Sequence, residues 1–257
     1  MTLLIAADVQ DHLIVAGDHC AVMSRVSTQG PPEVTLDNYR KVYPWKYGAI
    51  AASGDVFLMV HFCRLFLHHE GLGHPLDLLQ IAKEAKMACV RNGARSDASA
   101  GSIFLTLPGA EGFSLYHVCV TTDMIDFEII EAIGTRFSMR EERAPDESVC
   151  QAFTSRLRPA IFFGDSAAFS HYHIDLLKTF FARQNAVDEM VTSSFDVCLL
   201  EKRTGVHTFW HISEPPKQLA AVDLGEASGS LCLRGKHTEF TRPLVSGRPC
   251  VAGRRGG

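Results

Sequence analysis

The chain opens on two short, strand-like apolar runs separated by a polar turn. Leu3-Leu4-Ile5-Ala6-Ala7 closes on Asp8, and after a Gln10-Asp11 turn the run His12 to Gly17 closes on Asp18. This predicts a hairpin that sets Asp18 beside the chain start. Tyr39-Arg40-Lys41-Val42 then leads into a third apolar segment, Tyr47 to Ala52, ending at Ser53-Gly54. From Asp55 the pattern changes to that of a helix: Val56, Met59, Val60, Cys63 and Leu67 recur at helical spacing, stopped by Glu70-Gly71-Leu72-Gly73. A second helix opens at Pro75 with Asp77 in its first turn and ends near Asn92-Gly93. Strands return at Ser102 to Leu107 and Phe113 to Val120 around the turn Pro108 to Gly112, then at Phe127 to Ile133 before Gly134-Thr135. The charged stretch Arg140 to Arg158 holds an inserted helix from Asp146 to Leu157. An apolar run, Ala160 to Phe163, gives way at Gly164-Asp165-Ser166 to a helix ending near Arg183. Phe195 to Leu200 and Val206 to Ile212 form a last hairpin around Lys202 to Gly205. Beyond Ser213, prolines, glycines and arginines mark a C-terminal extension (214–257), with one edge strand at Ser230 to Phe240 and disorder from Arg242. Residues 1–213 thus read as one domain.

Composition narrows the function classes. With 257 residues, 46% hydrophobic and 21% charged, the chain suits one globular domain with a full core. A net charge of −4, with no basic-aromatic stripe, argues against nucleic acid. No apolar run approaches membrane-span length and no secretory leader precedes the first strand, so the expected address is cytoplasmic. The 8 cysteines are scattered singly, as free thiols would be. No glycine-rich phosphate loop occurs, and no cofactor is expected. His61 and His68 share a helical face, but no cysteine or carboxylate spacing completes a metal motif, so no metal is expected either.

The chemistry lies at the chain start. Removal of Met1 would leave Thr2 with a hydroxyl and a free α-amine, a nucleophile and its own base. The amine's reference pKa of about 7.7–8 leaves a neutral fraction able to accept the hydroxyl proton. Lys41 can depress both pKa values, Asp18 can orient Lys41, and Gly54 can bring its N–H to an oxyanion. Taken singly, these residues are a common second residue, a turn aspartate, a surface lysine and a turn glycine; their order along three strands is what carries the reading.

Thr2 at the mature terminus followed by "IVAGD", "RKV" and "AASGD" resembles the proteasome-type N-terminal-nucleophile (Ntn) hydrolases, especially the bacterial HslV-type threonine peptidases. The resemblance covers Thr2 to Leu107, weakens to strand pattern as far as Ile212, and then stops. It implies a four-layer αββα sandwich of two antiparallel sheets, with Thr2 as nucleophile, Asp18 and Lys41 as its partners, and Gly54 at the oxyanion hole. Between Asp18 and Lys41 the chain is longer than the family pattern; the extra length, Ser24 to Thr35 around Gly30-Pro31-Pro32, reads as a loop facing a substrate chamber. The family has a Gly-Ser-Gly whose serine supports the nucleophile's amine; Thr135 and Ser166 compete for that place. Asp188 and Ser193 are the nearest candidates for a supporting aspartate and serine before the last hairpin, at a spacing that departs from the family's. The resemblance further implies polypeptide substrates, a homo-oligomeric double ring of roughly six or seven subunits per ring, and an AAA+ unfoldase partner. Two other readings stay open: an inactive shell or assembly subunit, and an amidase acting on a small amide.

Overall fold

The computed structural model describes residues 3–24, 33–36, 38–92, 99–139 and 144–213. The hairpin at the chain start forms as the two apolar runs and the turn between them predict, with β1 (Leu4–Asp8) antiparallel to β2 (His12–Asp18). Its two faces feed two cores. Leu3, Ile5, Ala7, Ile14 and Ala16 point into one apolar cluster, while Leu4, Ala6, Leu13 and Val15 point into another. A strand buried on both faces has to be an inner strand, and β1 and β2 are.

Two five-stranded antiparallel sheets result. After β2 come the ribbon strands β3 (Ala21–Ser24) and β4 (Glu33–Leu36), then β5 (Val42–Trp45) and β6 (Gly48–Gly54). Two helices, α1 (Val56–Gly71) and α2 (Leu78–Arg91), separate these from β7 (Gly101–Gly109), β8 (Gly112–Val120), β9 (Ile125–Ile130) and β10 (Thr135–Ser138). Next are α3 (Glu147–Thr154), a 3₁₀ turn at Ala160–Phe162, α4 (Ser166–Val187), β11 (Phe195–Glu201) and β12 (His207–Ile212). One sheet runs β10-β1-β2-β11-β12 and the other β5-β6-β7-β8-β9. Helices α3 and α4 bury Val149, Phe153, Phe169, Leu177 and Phe181 against the first sheet. Helices α1 and α2 bury Leu58, Phe62, Phe66, Ile81 and Ala85 against the second. Between the sheets lie Leu4, Ala6, Val42, Ala49, Ala51, Phe104 and Cys198, where the alanines allow close approach of the facing strands. The order helix, sheet, sheet, helix is the four-layer αββα sandwich expected.

Several boundaries differ from the sequence reading. Asp77 is the N-cap of α2, its side chain accepting from the Gln80 N–H at 2.9 Å, so the helix begins after it and Pro75 lies outside. The strand expected over 127–133 ends at Ile130, because the chain turns through Ile133 at φ 65° and starts β10, which crosses to the other sheet. The segment before β6 is a hairpin partner, β5, and the ends of the 24–35 stretch belong to the β3–β4 ribbon. The middle of that stretch and the whole C-terminal extension lie outside the described residues. Among the described residues no helix is long and apolar enough to cross a membrane, and the six cysteines are all outside disulfides.

The α4 layer contains a neutral histidine. His173 is 1% exposed; its Nδ1–H donates to the Phe169 carbonyl at 2.9 Å, and its Nε2 accepts the Arg158 N–H at 3.3 Å. Burial holds its pKa below the ordinary 6.5. As pH falls through 6.5 the unfolded chain binds a proton that the folded chain refuses, so stability falls toward acid and returns as pH rises. One whole proton corresponds to a slope of about 1.4 kcal/mol per pH unit. His117, whose pKa is also lowered chiefly by burial, acts in the same direction. In urea unfolding between pH 7 and 5, His173→Gln should give a shallower acid slope than the unaltered chain; an unchanged slope would remove His173 from the acid response.

Candidate active site

Asp18 closes β2 with no exposure, and its carboxylate is met from three directions. Oδ1 accepts the Leu3 N–H at 2.8 Å and the Lys41 ammonium at 2.5 Å; Oδ2 accepts the Cys20 N–H at 2.9 Å. The Asp18 N–H in turn donates to the Leu3 carbonyl at 3.2 Å. The residue that follows Thr2 is therefore clamped to Asp18 through both its backbone groups.

Lys41, 1% exposed, enters just before β5. Its carbonyl accepts the Ala52 N–H at 3.2 Å, fixing the lysine to β6. Beside it, Gly17 lets Leu4 and Val42 pack closely: a Cβ there would stand 2.6 Å from Leu4 Cδ2 and 3.1 Å from Val42 Cγ2. Burial pulls the Lys41 pKa down, and the Asp18 charge and hydrogen bond pull it partly back. A cation held in a dry site acts on neighbouring proton equilibria far more than one in water does.

Gly54 ends β6 at φ +104°, paired with Gly101 across the ladder. A Cβ would lie 2.3 Å from the Ala100 carbonyl oxygen, so both the dihedral and the space require glycine. Its predecessor Ser53 is buried and shares a 2.6 Å hydroxyl hydrogen bond with Ser138. Ser138 closes β10 and pairs with Leu4. That bond ties the two sheets together beside the clamped chain start.

Thr2 itself lies outside the described residues. Of the other sequence candidates, Asp18 and Lys41 are in contact, and Gly54 follows the Ser53–Ser138 link. Thr135 sits at the opposite end of β10, paired with Ala7, its hydroxyl buried with no hydrogen-bond partner among the described residues. Ser166 is the exposed first residue of α4, after the N-cap Asp165. Neither shares Ser138's position opposite Leu4. Asp188 caps the C-terminus of α4, and its Oδ1 accepts the Met190 N–H at 3.0 Å. The loop it begins does reach Asp18, but through Thr192: this residue's N–H points at Asp18 Oδ2 at 3.4 Å and its hydroxyl accepts the His19 N–H at 2.8 Å. Ser193 is the half-buried neighbour.

Sequence reasoning missed Ser138 and Thr192. The signal for Ser138 was its place at the end of a short strand after Gly134, four residues beyond the glycine that had been weighed. For Thr192 it was a hydroxyl in the same loop as Ser193.

Two five-stranded antiparallel sheets, helices outside both, and a buried lysine–aspartate pair at the start of the first strand complete the picture. At the level of fold, the chain is similar to proteasome-like subunits. Among solved structures it is similar to Anbu (ancestral beta-subunit) from Yersinia bercovieri, with a TM-score of 0.57 at 10% identity over 82% of this chain and 88% of that one. The Gly-1 mutant of Anbu from Hyphomicrobium sp. strain MC1 gives 0.56 at 12% identity over 83% and 87%. HslV from Trypanosoma brucei is a looser likeness, with a TM-score of 0.47 at 13% identity over 77% and 99%. No protein-family model and no curated protein matched the chain. At such identities the likeness concerns the fold, the αββα sandwich of the Ntn hydrolases.

Proposed function

We propose that this protein is the threonine-type endopeptidase subunit of a self-compartmentalising, cytoplasmic, bacterial proteasome-like complex. The observation that carries the reading is the buried Lys41–Asp18 pair, whose carboxylate also seats the backbone of Leu3. A lysine and an aspartate with almost no exposure are expensive to bury, and the carboxylate holds the N–H of Leu3, the residue after the proposed nucleophile.

After loss of Met1, Thr2 Oγ attacks the carbonyl carbon of a peptide bond while the Thr2 α-amine takes the hydroxyl proton. Lys41, held by Asp18, favours the ionised hydroxyl and the neutral amine. The tetrahedral oxyanion is received by the Gly54 N–H, and the amine returns the proton to the departing peptide nitrogen. Water activated by the same amine then cleaves the ester and frees Thr2. Ser138, through Ser53, holds the strand ends around this centre, and Thr192 holds Asp18.

An open site of this kind would hydrolyse cellular protein, so the reading includes a homo-oligomeric double ring with an AAA+ unfoldase as feeder of polypeptide. The outer face of α1 supports assembly: Phe57, Val60 and Leu67 are 68%, 56% and 53% exposed around Arg64, apolar surface suited to burial against another copy.

The test is the intact mass of the purified protein before and after a peptide epoxyketone, whose ring adduct needs both the hydroxyl and the free amine. The expected result is a chain lacking Met1 that gains one inhibitor. A chain that keeps Met1 and gains nothing overturns the peptidase in favour of an inactive shell subunit.

A further inference from the structure

A second polar cluster, not used by the proposed peptidase chemistry, sits one residue along the chain from both members of the Lys41–Asp18 pair. It joins His19, Asp196 and His211, with Arg40 at its edge. The sheet register assembles it: Asp196 on β11 pairs with Gly17 on β2 on one side and with His211 on β12 on the other, and His19 follows the end of β2. Two neighbouring strands and the residue just after a third thus deliver three ligating side chains to one spot.

The details are those of a coordination set. His19 Nε2 lies 3.3 Å from Asp196 Oδ2, and His211 Nδ1 lies 2.9 Å from Asp196 Oδ1. The imidazoles stack with centroids 4.8 Å apart and planes 20° from parallel. One nitrogen from each ring and one carboxylate oxygen all fall within 4.8 Å of one another. Ligand atoms around a tetrahedral ion at bond lengths of about 2.0–2.1 Å stand about 3.3 Å apart, so small side-chain rotations close the set. His19 is 2% exposed and Asp196 3%, and neither ring nitrogen of His19 makes a hydrogen bond among the described residues. A buried imidazole without such a bond, facing a buried carboxylate, has the donor atoms a metal requires.

We infer that His19, Asp196 and His211 form a binding site for a divalent transition-metal cation of the zinc class, with a fourth coordination position left for water or an exogenous ligand. The two imidazoles are borderline donors that favour such an ion over magnesium or calcium, which take oxygen ligands alone. Arg40 is the built-in competitor. Its Nε lies 3.2 Å from Asp196 Oδ2, and its side chain is 55% exposed, free to swing outward when a cation takes its place.

The experiment uses the full chain, stripped with chelator and titrated with Co²⁺ and then Zn²⁺, reading the visible Co²⁺ absorption, the Kd and the metal content after desalting. One ion per chain with intense, tetrahedral-type Co²⁺ bands is expected. His211→Ala, whose side chain is 59% exposed and whose loss leaves the core intact, should weaken binding at least tenfold. Arg40→Gln should tighten it by removing the competing charge. The inference is overturned if His211→Ala leaves the Kd unchanged, or if binding disappears instead when His69 and His74, whose rings are 5.9 Å apart on the far helix layer, are replaced by alanine.

Discussion

Thr2→Ala should lower peptide hydrolysis by at least about a thousandfold while leaving the oligomer the same size on a sizing column. Removing a covalent nucleophile eliminates the acyl-enzyme route and leaves only binding and the oxyanion donor, which retain a small part of the rate. The change keeps the α-amine, so loss of rate reports on the hydroxyl alone. Thr2→Ser restores a hydroxyl at the same place and should recover measurable turnover. If Thr2→Ala retains activity within tenfold, the nucleophile lies elsewhere and the proposed mechanism fails.

The second large effect concerns Lys41, where fold and chemistry have to be separated. Lys41→Met keeps most of the side-chain volume but strands the Asp18 carboxylate, fully buried, with backbone N–H donors and no cation. Breaking a buried pair in this way costs about 3–5 kcal/mol, whereas replacing both partners by neutral groups can be close to neutral. Urea unfolding should therefore find Lys41→Met markedly less stable and the double variant Lys41→Met/Asp18→Asn close to the original. Both should be inactive toward peptides. A stable double variant that still cleaves would assign the pair to folding and remove it from catalysis.

How much of this was legible in the chain follows from the range of each signal. Hairpin β1–β2 is local and doubly buried, so its continuous apolar runs and the placement of Asp18 could be read directly. Lys41 was legible across an insertion because "RKV" still enters a strand. Strand β10 was not legible. Its four residues, Thr-Arg-Phe-Ser, are too few for a period to emerge, and their partner β1 lies at the other end of the domain. Missing that strand is what put Thr135 forward and hid Ser138. Thr192 was hidden similarly, since its contact to Asp18 spans the whole domain. The His19–Asp196–His211 cluster has no spacing motif at all, because sheet register, and not sequence proximity, creates it.

The Leu3 clamp has a consequence for the order of events during biogenesis. Every hydrogen bond described that seats the beginning of the chain starts at Leu3, two of them on Asp18, and the ladder with β2 continues from Leu4. Leu3 is thus seated through its own backbone N–H and carbonyl. For the proposed mechanism this makes folding and trimming of the first residue separable steps: the scaffold that seats Leu3 can form first, and uncapping Thr2 then switches on the chemistry.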